Sequence, residues 1–107
     1  MSDQGEKKDD GKPPLDLIDA HFIEDVARVL LFGAKKYDLN QWQKGMSLGK
    51  ALAGVLRHVY AMLRGEMTDP ETGLSHAAHA TCGLLFTHYF WRTDGFKPDD
   101  RFKKATP

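Results

Sequence analysis

Cysteine is nearly missing from this 107-residue chain, with Cys82 standing alone. One thiol excludes an internal disulfide framework and a cysteine-built zinc finger, and it fits a reducing compartment. Net charge is missing too, because 15 basic residues offset 15 acidic ones. A formal charge of zero removes the electrostatic basis for nucleic acid or an anionic membrane as the main partner. No apolar run approaches the roughly 20 residues of a membrane span. The opening MSDQGEKKDD has no apolar stretch and does not read as a signal peptide. Also absent are a Gly-rich phosphate loop, a His-Glu-x-x-His helix, a nucleophile elbow and a His-Asp dipeptide. These absences leave the expectation of one small cytoplasmic domain, of a kind that often gains stability by association.

Hydrophobic residues make up 41% of the chain, enough for a modest core, and their spacing is helical. Residues 1–12, rich in charge, read as a disordered tail, and 92–107 as a loose C-terminal arm pinned by Phe96 or Phe102. The folded part is 13–91, which holds all five histidines. A first helix is expected from about Ala20 to Tyr37, with Phe22, Val26, Val29, Leu30 and Gly33 on one side and Asp19 as N-cap. A second runs from about Ser47 to Glu66, striped by Leu48, Leu52, Val55, Leu56, Val59, Met62 and Leu63 and ending near Gly65. The third runs from about Glu71 to Arg92, with Thr68 and Glu71 at the spacing of a capping box and Pro70 in its first turn. A short turn is expected around Leu15–Ile18. The class is all-α: a three-helix unit whose apolar stripes are covered in an oligomeric helical bundle.

Chemistry concentrates around the third helix. His76 and His79 lie on one side of it with Ala80, Gly83 and Thr87, where the small residues leave room for a neighbouring backbone or a flat ligand. Two imidazoles three residues apart can share a metal or a phosphate, and they can equally hydrogen-bond within a helix interface. The preceding segment carries Glu66, Asp69 and Glu71. Carboxylates with a divalent cation are a common means of handling a polyphosphate. Asp69 and Glu71 are also explained by capping and the helix dipole. Glu66 falls on the apolar side of the second helix and needs a metal, an arginine or a histidine as partner. Arg57 and His58 on the second helix suit phosphate oxygens. Glu24 and Arg28 have the spacing of an ion pair, and Lys35, Lys36 and Tyr37 close the first helix with positive charge. Cys82 falls among apolar residues and is expected to be packed and inert. His21 and His88 have no evident acidic partner.

Several stretches resemble one known family. They are Lys12-Pro13-Pro14-Leu15-Asp16-Leu17-Ile18, Phe32-Gly33-Ala34-Lys35-Lys36-Tyr37, Asn40, Trp42, Leu56-Arg57-His58 and Arg64-Gly65-Glu66. The most specific is Asp69-Pro70-Glu71-Thr72-Gly73-Leu74-Ser75-His76, with His79 beyond it. The family is the dATP/dGTP diphosphohydrolase N-terminal domain of phages and bacteria, itself similar to the MazG-like all-α nucleotide pyrophosphohydrolases. The resemblance implies hydrolysis of a nucleoside triphosphate to monophosphate and pyrophosphate, with Mg2+ or Mn2+ bridging the phosphates. It also implies a homo-oligomer and, for a phage, remodelling of the nucleotide pool in the host cytoplasm. MazG-like enzymes carry Glu-x-x-Glu and Glu-x-x-Asp pairs. Here the corresponding place reads His76-Ala77-Ala78-His79, and the helix before it offers Arg57-His58.

Three readings stay open on the sequence. In the first, a metal-dependent hydrolase acts on a purine deoxynucleoside triphosphate. Glu66, Asp69 and Glu24 hold the metal, and Glu71 or Glu66 serves as general base. His58, His76, His79, Arg57, Lys35 and Lys36 meet phosphate, and Tyr37 or Trp42 stacks on the base. In the second, a non-catalytic nucleotide-binding protein sequesters a phosphorylated signal. In the third, a helical assembly factor has no small-molecule site.

Overall fold

The computed structural model of the chain describes residues 11–36 and 46–98, the side chains of 34–36 excepted. A 3-10 turn at Leu15–Leu17 comes first, followed by α1 (Ala20–Lys36), α2 (Leu48–Leu63) and α3 (His76–Thr93). Among the described residues there is no strand, only isolated bridges between Ser47 and Lys97 and between Thr68 and Ser75. The all-α expectation holds.

The helix boundaries follow from local chemistry. Asp19 opens α1, its carboxylate accepting from the His21 N–H at 3.3 Å. Ser47 caps α2 by accepting from the Lys50 N–H at 3.3 Å. The end of α2 is closed by two crossed bonds, Gly65 N–H to Met62 O and Glu66 N–H to Ala61 O, both 2.9 Å. Gly65 takes φ 96° there, a left-handed conformation that a side chain resists.

The start of α3 differs from the sequence expectation. Residues 71–75 are not helical, and the Thr68–Glu71 capping box does not form. Asp69 instead accepts the Glu71 N–H on its side chain at 2.7 Å, and the Thr72 hydroxyl accepts the Leu74 N–H at 3.1 Å. Short polar side chains of this kind compete with the helix for backbone donors. Asp69 N–H to Leu74 O at 2.8 Å and His76 N–H to Met67 O at 2.9 Å complete a tight reversal. Ser75 is the true cap, accepting from the Ala78 N–H at 2.9 Å.

The third helix is the hub, packing against both α1 and α2. Its small residues make that possible. Ala78 and Cys82 are buried in a cluster with Val26, flanked by Phe22, Val29, Leu30 and Phe86. Gly83 lies against Val55 and Ala51 of α2. Leu85 is exposed, because the buried side of α3 is occupied by Ala78, Ala80, Cys82 and Phe90. Beyond α3 the chain folds back. Phe96 packs edge-on against Phe90 with ring centroids 5.7 Å apart, and the Lys97 N–H reaches Met46 O at 3.1 Å. The pinning by Phe96 is therefore present. Phe102, and the tails over 1–10 and 99–107, lie outside the described residues.

Candidate functional site

Three imidazoles and two carboxylates converge where the end of α2, the reversal after it and the start of α3 meet. His58 comes from α2, Glu66 and Asp69 from the reversal, and His76 and His79 from the first turn of α3. The centre is His76, almost fully buried. Its Nε2 lies 2.8 Å from Glu66 Oε1, and its Nδ1 lies 2.8 Å from His58 Nδ1. An ionised Glu66 only accepts, so His76 donates from Nε2. At the Nδ1 contact the proton comes from His58 when His76 is neutral and from His76 when it is protonated. Glu66 does meet a histidine, but it lies beyond the end of α2 with its side chain 53% exposed, so the inward position expected of it on the second helix is not observed.

The second arm of the cluster is His79. Its Nε2 is 2.8 Å from Thr72 Oγ1 and 3.9 Å from Asp69 Oδ2. Its ring stacks on that of His58, with centroids 4.7 Å apart and planes 14° from parallel. His58, Asp69 and His79 each offer one ligating atom within 4.8 Å of the others. Burial lowers the affinity of His58 and His79 for a proton, and the other imidazoles lower it further. Asp69 raises that of His79 in part without reversing it. Both rings are therefore neutral at pH 7. For Asp69, burial pushes its carboxyl up, but the Glu71 N–H and the imidazoles outweigh that and hold it below the usual carboxylate range. Among the described residues, no buried side-chain polar atom lacks a hydrogen-bond partner.

A cavity of about 250 Å³ extends from His58 and His79 along the groove between α2 and α3. Val29, Val55, Gly83 and Phe86 give it apolar walls, and Lys50 also lines it. The room beside the imidazoles that the small residues of α3 foretold is present.

The other sequence-derived candidates fall elsewhere. Glu24 is on the exposed side of α1, 3.9 Å from Arg28, while Arg28 bonds more closely to Asp25 at 2.7 Å. Neither Glu24 nor Glu66 belongs to the metal-competent group that contains Asp69. The trio Glu24, Glu66 and Asp69 is thus not brought together. Glu71 is exposed at the rim of the reversal, near enough to affect His79 electrostatically. Arg57 is exposed on α2 and has no ion-pair partner among the described residues. The side chains of Lys35 and Lys36, and all of Tyr37 and Trp42, lie outside the described residues. His21 does have an acidic neighbour, Asp25, at 3.5 Å. Sequence reasoning missed Thr72 and Lys50. The signal for Thr72 was its place in the same short polar segment, whereas Lys50 carried none.

Fold and site together define a small all-α protein with a histidine-rich cleft between two packed helices. The chain belongs to the family described as dATP/dGTP diphosphohydrolase, N-terminal, whose profile matches residues 2–101. It is similar to the dATP/dGTP diphosphohydrolase of Salmonella phage PMBT28, at 44% identity over 103 residues. That match covers 96% of this chain and 35% of the phage protein, so the chain spans about a third of its relative's length. No solved structure matches. Among the described residues, no helix is long and apolar enough to cross a membrane.

Proposed function

We propose that this chain forms the phosphate-handling part of an enzyme that hydrolyses a purine deoxynucleoside triphosphate to monophosphate and pyrophosphate. The observation that carries the reading is the convergence of His58, Asp69 and His79 at one end of the groove cavity. The name of the phage relative supplies the substrate class. In the reaction, water oxygen bonds to the α-phosphorus, the bond from that phosphorus to the bridging oxygen breaks, and pyrophosphate leaves with the electron pair. A divalent cation, when bound, neutralises charge on the phosphates. Lys50 and Arg57 add positive charge near the phosphates, and Glu71, at the rim, takes the proton from water. His76 stays clear of substrate and holds His58 in place.

The role of the protein is remodelling of the deoxynucleotide pool for a phage in its host's cytoplasm. Association into a homo-oligomer belongs to the proposal as well. Leu56, Tyr60 and Leu63 form an exposed apolar stripe at helical spacing on α2, 46%, 53% and 75% exposed, which is the kind of surface a partner covers.

A panel of deoxynucleoside triphosphates, incubated with and without divalent cations and resolved by chromatography, tests the reading. Cation-dependent release of pyrophosphate and a purine monophosphate is expected. Intact nucleotide under every condition overturns the catalytic step. A second reading, capture of a phosphorylated nucleotide without cleavage, is favoured by one observation: Glu66 is committed to His76, which leaves few carboxylates at the cluster. It predicts nucleotide recovered unchanged from the denatured complex. The assembly-factor reading needs satisfied histidines alone, which His76 provides, yet His58 and His79 border a cavity.

A further inference from the structure

We infer that His58, Asp69 and His79 form a binding site for one first-row transition-metal dication, with Glu66 and His76 as its positioning residues. The site stands on its own geometry, while its role toward a triphosphate rests on the function proposed above.

The lone pairs are the first argument. With His76 in its neutral form, His58 gives its Nδ1 proton to His76 and Nε2 is the nitrogen left for a metal. That tautomer is imposed from a distance: the Glu66 carboxylate fixes His76, and His76 fixes His58. A ligating histidine commonly gives its other N–H to a carboxylate or another acceptor, which orients the ring and raises its basicity. For His79, Nε2 lies 2.8 Å from Thr72 Oγ1 and 3.9 Å from Asp69 Oδ2. A metal held at that nitrogen takes the place of the Thr72 hydroxyl at its one lone pair.

The donor set is the second argument. Three ligating atoms lie within 4.8 Å of one another. Metal–ligand bonds of about 2.0–2.2 Å put neighbouring ligands roughly 3–3.6 Å apart, so closure needs a side-chain adjustment and no backbone movement. Asp69 Oδ1 is held by the Glu71 N–H, which leaves Oδ2 for the ion. Two imidazoles and one carboxylate select Mn2+, Fe2+, Co2+ or Zn2+ over Mg2+, which prefers oxygen ligands. Three protein ligands also leave open positions, as a site acting on phosphate requires.

The test is titration of the intact chain with Co2+, Mn2+ and Mg2+, without nucleotide, by calorimetry and by the visible absorption of Co2+. One Co2+ per chain is expected, with Mg2+ at least ~10-fold weaker. Asp69→Asn keeps the side-chain acceptor for the Glu71 N–H and removes the anionic ligand, so it weakens Co2+ binding while the helical circular dichroism is unchanged. Glu66→Gln weakens binding by roughly 10–100-fold and changes the Co2+ spectrum, and Glu66→Asp restores part of the loss. A site that prefers Mg2+, or Co2+ binding unaffected by Asp69→Asn, overturns the inference. Nucleotide hydrolysis that persists in either case shows that this assignment has failed and the proposed function has not.

Discussion

Gly83 decides how closely α2 and α3 approach, and replacing it by alanine tests the packing that builds the site. A Cβ at position 83 would meet Val55 Cγ2 at 2.7 Å, closer than carbon atoms tolerate. Val55 cannot easily yield, because it is buried and a β-branched residue in a helix has one strongly preferred rotamer. Overpacking of this kind costs about 1–3 kcal/mol. Alanine gains about 1 kcal/mol of helix propensity over glycine. The net is a loss of about 0–2 kcal/mol, centred near 1. Gly54 on α2 is the internal control, since a Cβ there meets only Arg57 Nη2 at 3.7 Å. Gly54→Ala therefore gains stability by about 0.5–1 kcal/mol. Urea unfolding followed by circular dichroism separates the two, and in heat each kcal/mol corresponds to roughly 4–8 °C in Tm. Val55→Ala in the Gly83→Ala background recovers part of the loss. If both glycine variants are stabilised by similar amounts, α2 and α3 do not meet at Gly83, and the cavity argument goes with that contact.

Other expectations follow from the same packing. His58 and His79 hold protons less tightly when folded than at the ordinary value of 6.5. The unfolded chain therefore binds more protons below that pH, so stability is complete above about 6.5 and falls on acidification. Asp69, held below its ordinary 3.8, adds a loss beneath that pH. Urea midpoints should rise with pH from 5 to about 7 and then level off, and a midpoint that rises on acidification contradicts the site. The Cys82 thiol is pushed by burial up to about 11, so a thiol reagent at pH 8 should label it only after denaturant is added; rapid labelling of the native chain places it outside the core. Leu63→Glu should lower the mass measured by light scattering if the α2 stripe is an interface, and a monomeric wild type removes that proposal.

Most helix ends were legible because each has a local chemical signature. Asp19, Ser47 and Gly65 act at the positions their residue types predicted. The start of α3 was misread for a local reason as well. Thr68 and Glu71 have capping-box spacing, but Asp69 and Thr72 use their side chains on nearer backbone donors and delay the helix to His76. The site was half legible. Asp69, His76 and His79 are close in sequence, so a shared location was readable. The bond between His58 and His76 spans 18 positions and depends on the crossing of α2 over α3 at Gly83. No periodicity within a single helix encodes that crossing. Glu24 was misjudged by the same limit: its composition suited a metal, while its place on α1 faces it toward Arg28.

The cavity lining bears on base selection. Its described side chains are aliphatic, aromatic, glycine, sulfur-bearing, imidazole or ammonium, with Lys50, His58 and His79 as the nitrogen-bearing ones. All three suit phosphate, and none is an amide or carboxylate of the kind that reads a base edge. Strong discrimination between bases comes from buried hydrogen-bonding groups that a wrong base leaves unpaired. At about 250 Å³ the cavity is also smaller than the roughly 300–1,000 Å³ of a site enclosing a drug-sized ligand. The purine preference in the proposed function therefore draws on side chains outside this lining. With a divalent cation present, the chain should bind dATP, dGTP, dCTP and tripolyphosphate within about tenfold of one another, as competition calorimetry would measure. A hundredfold preference for one purine, lost when Phe86 is replaced by alanine, would mean that the groove reads the base itself.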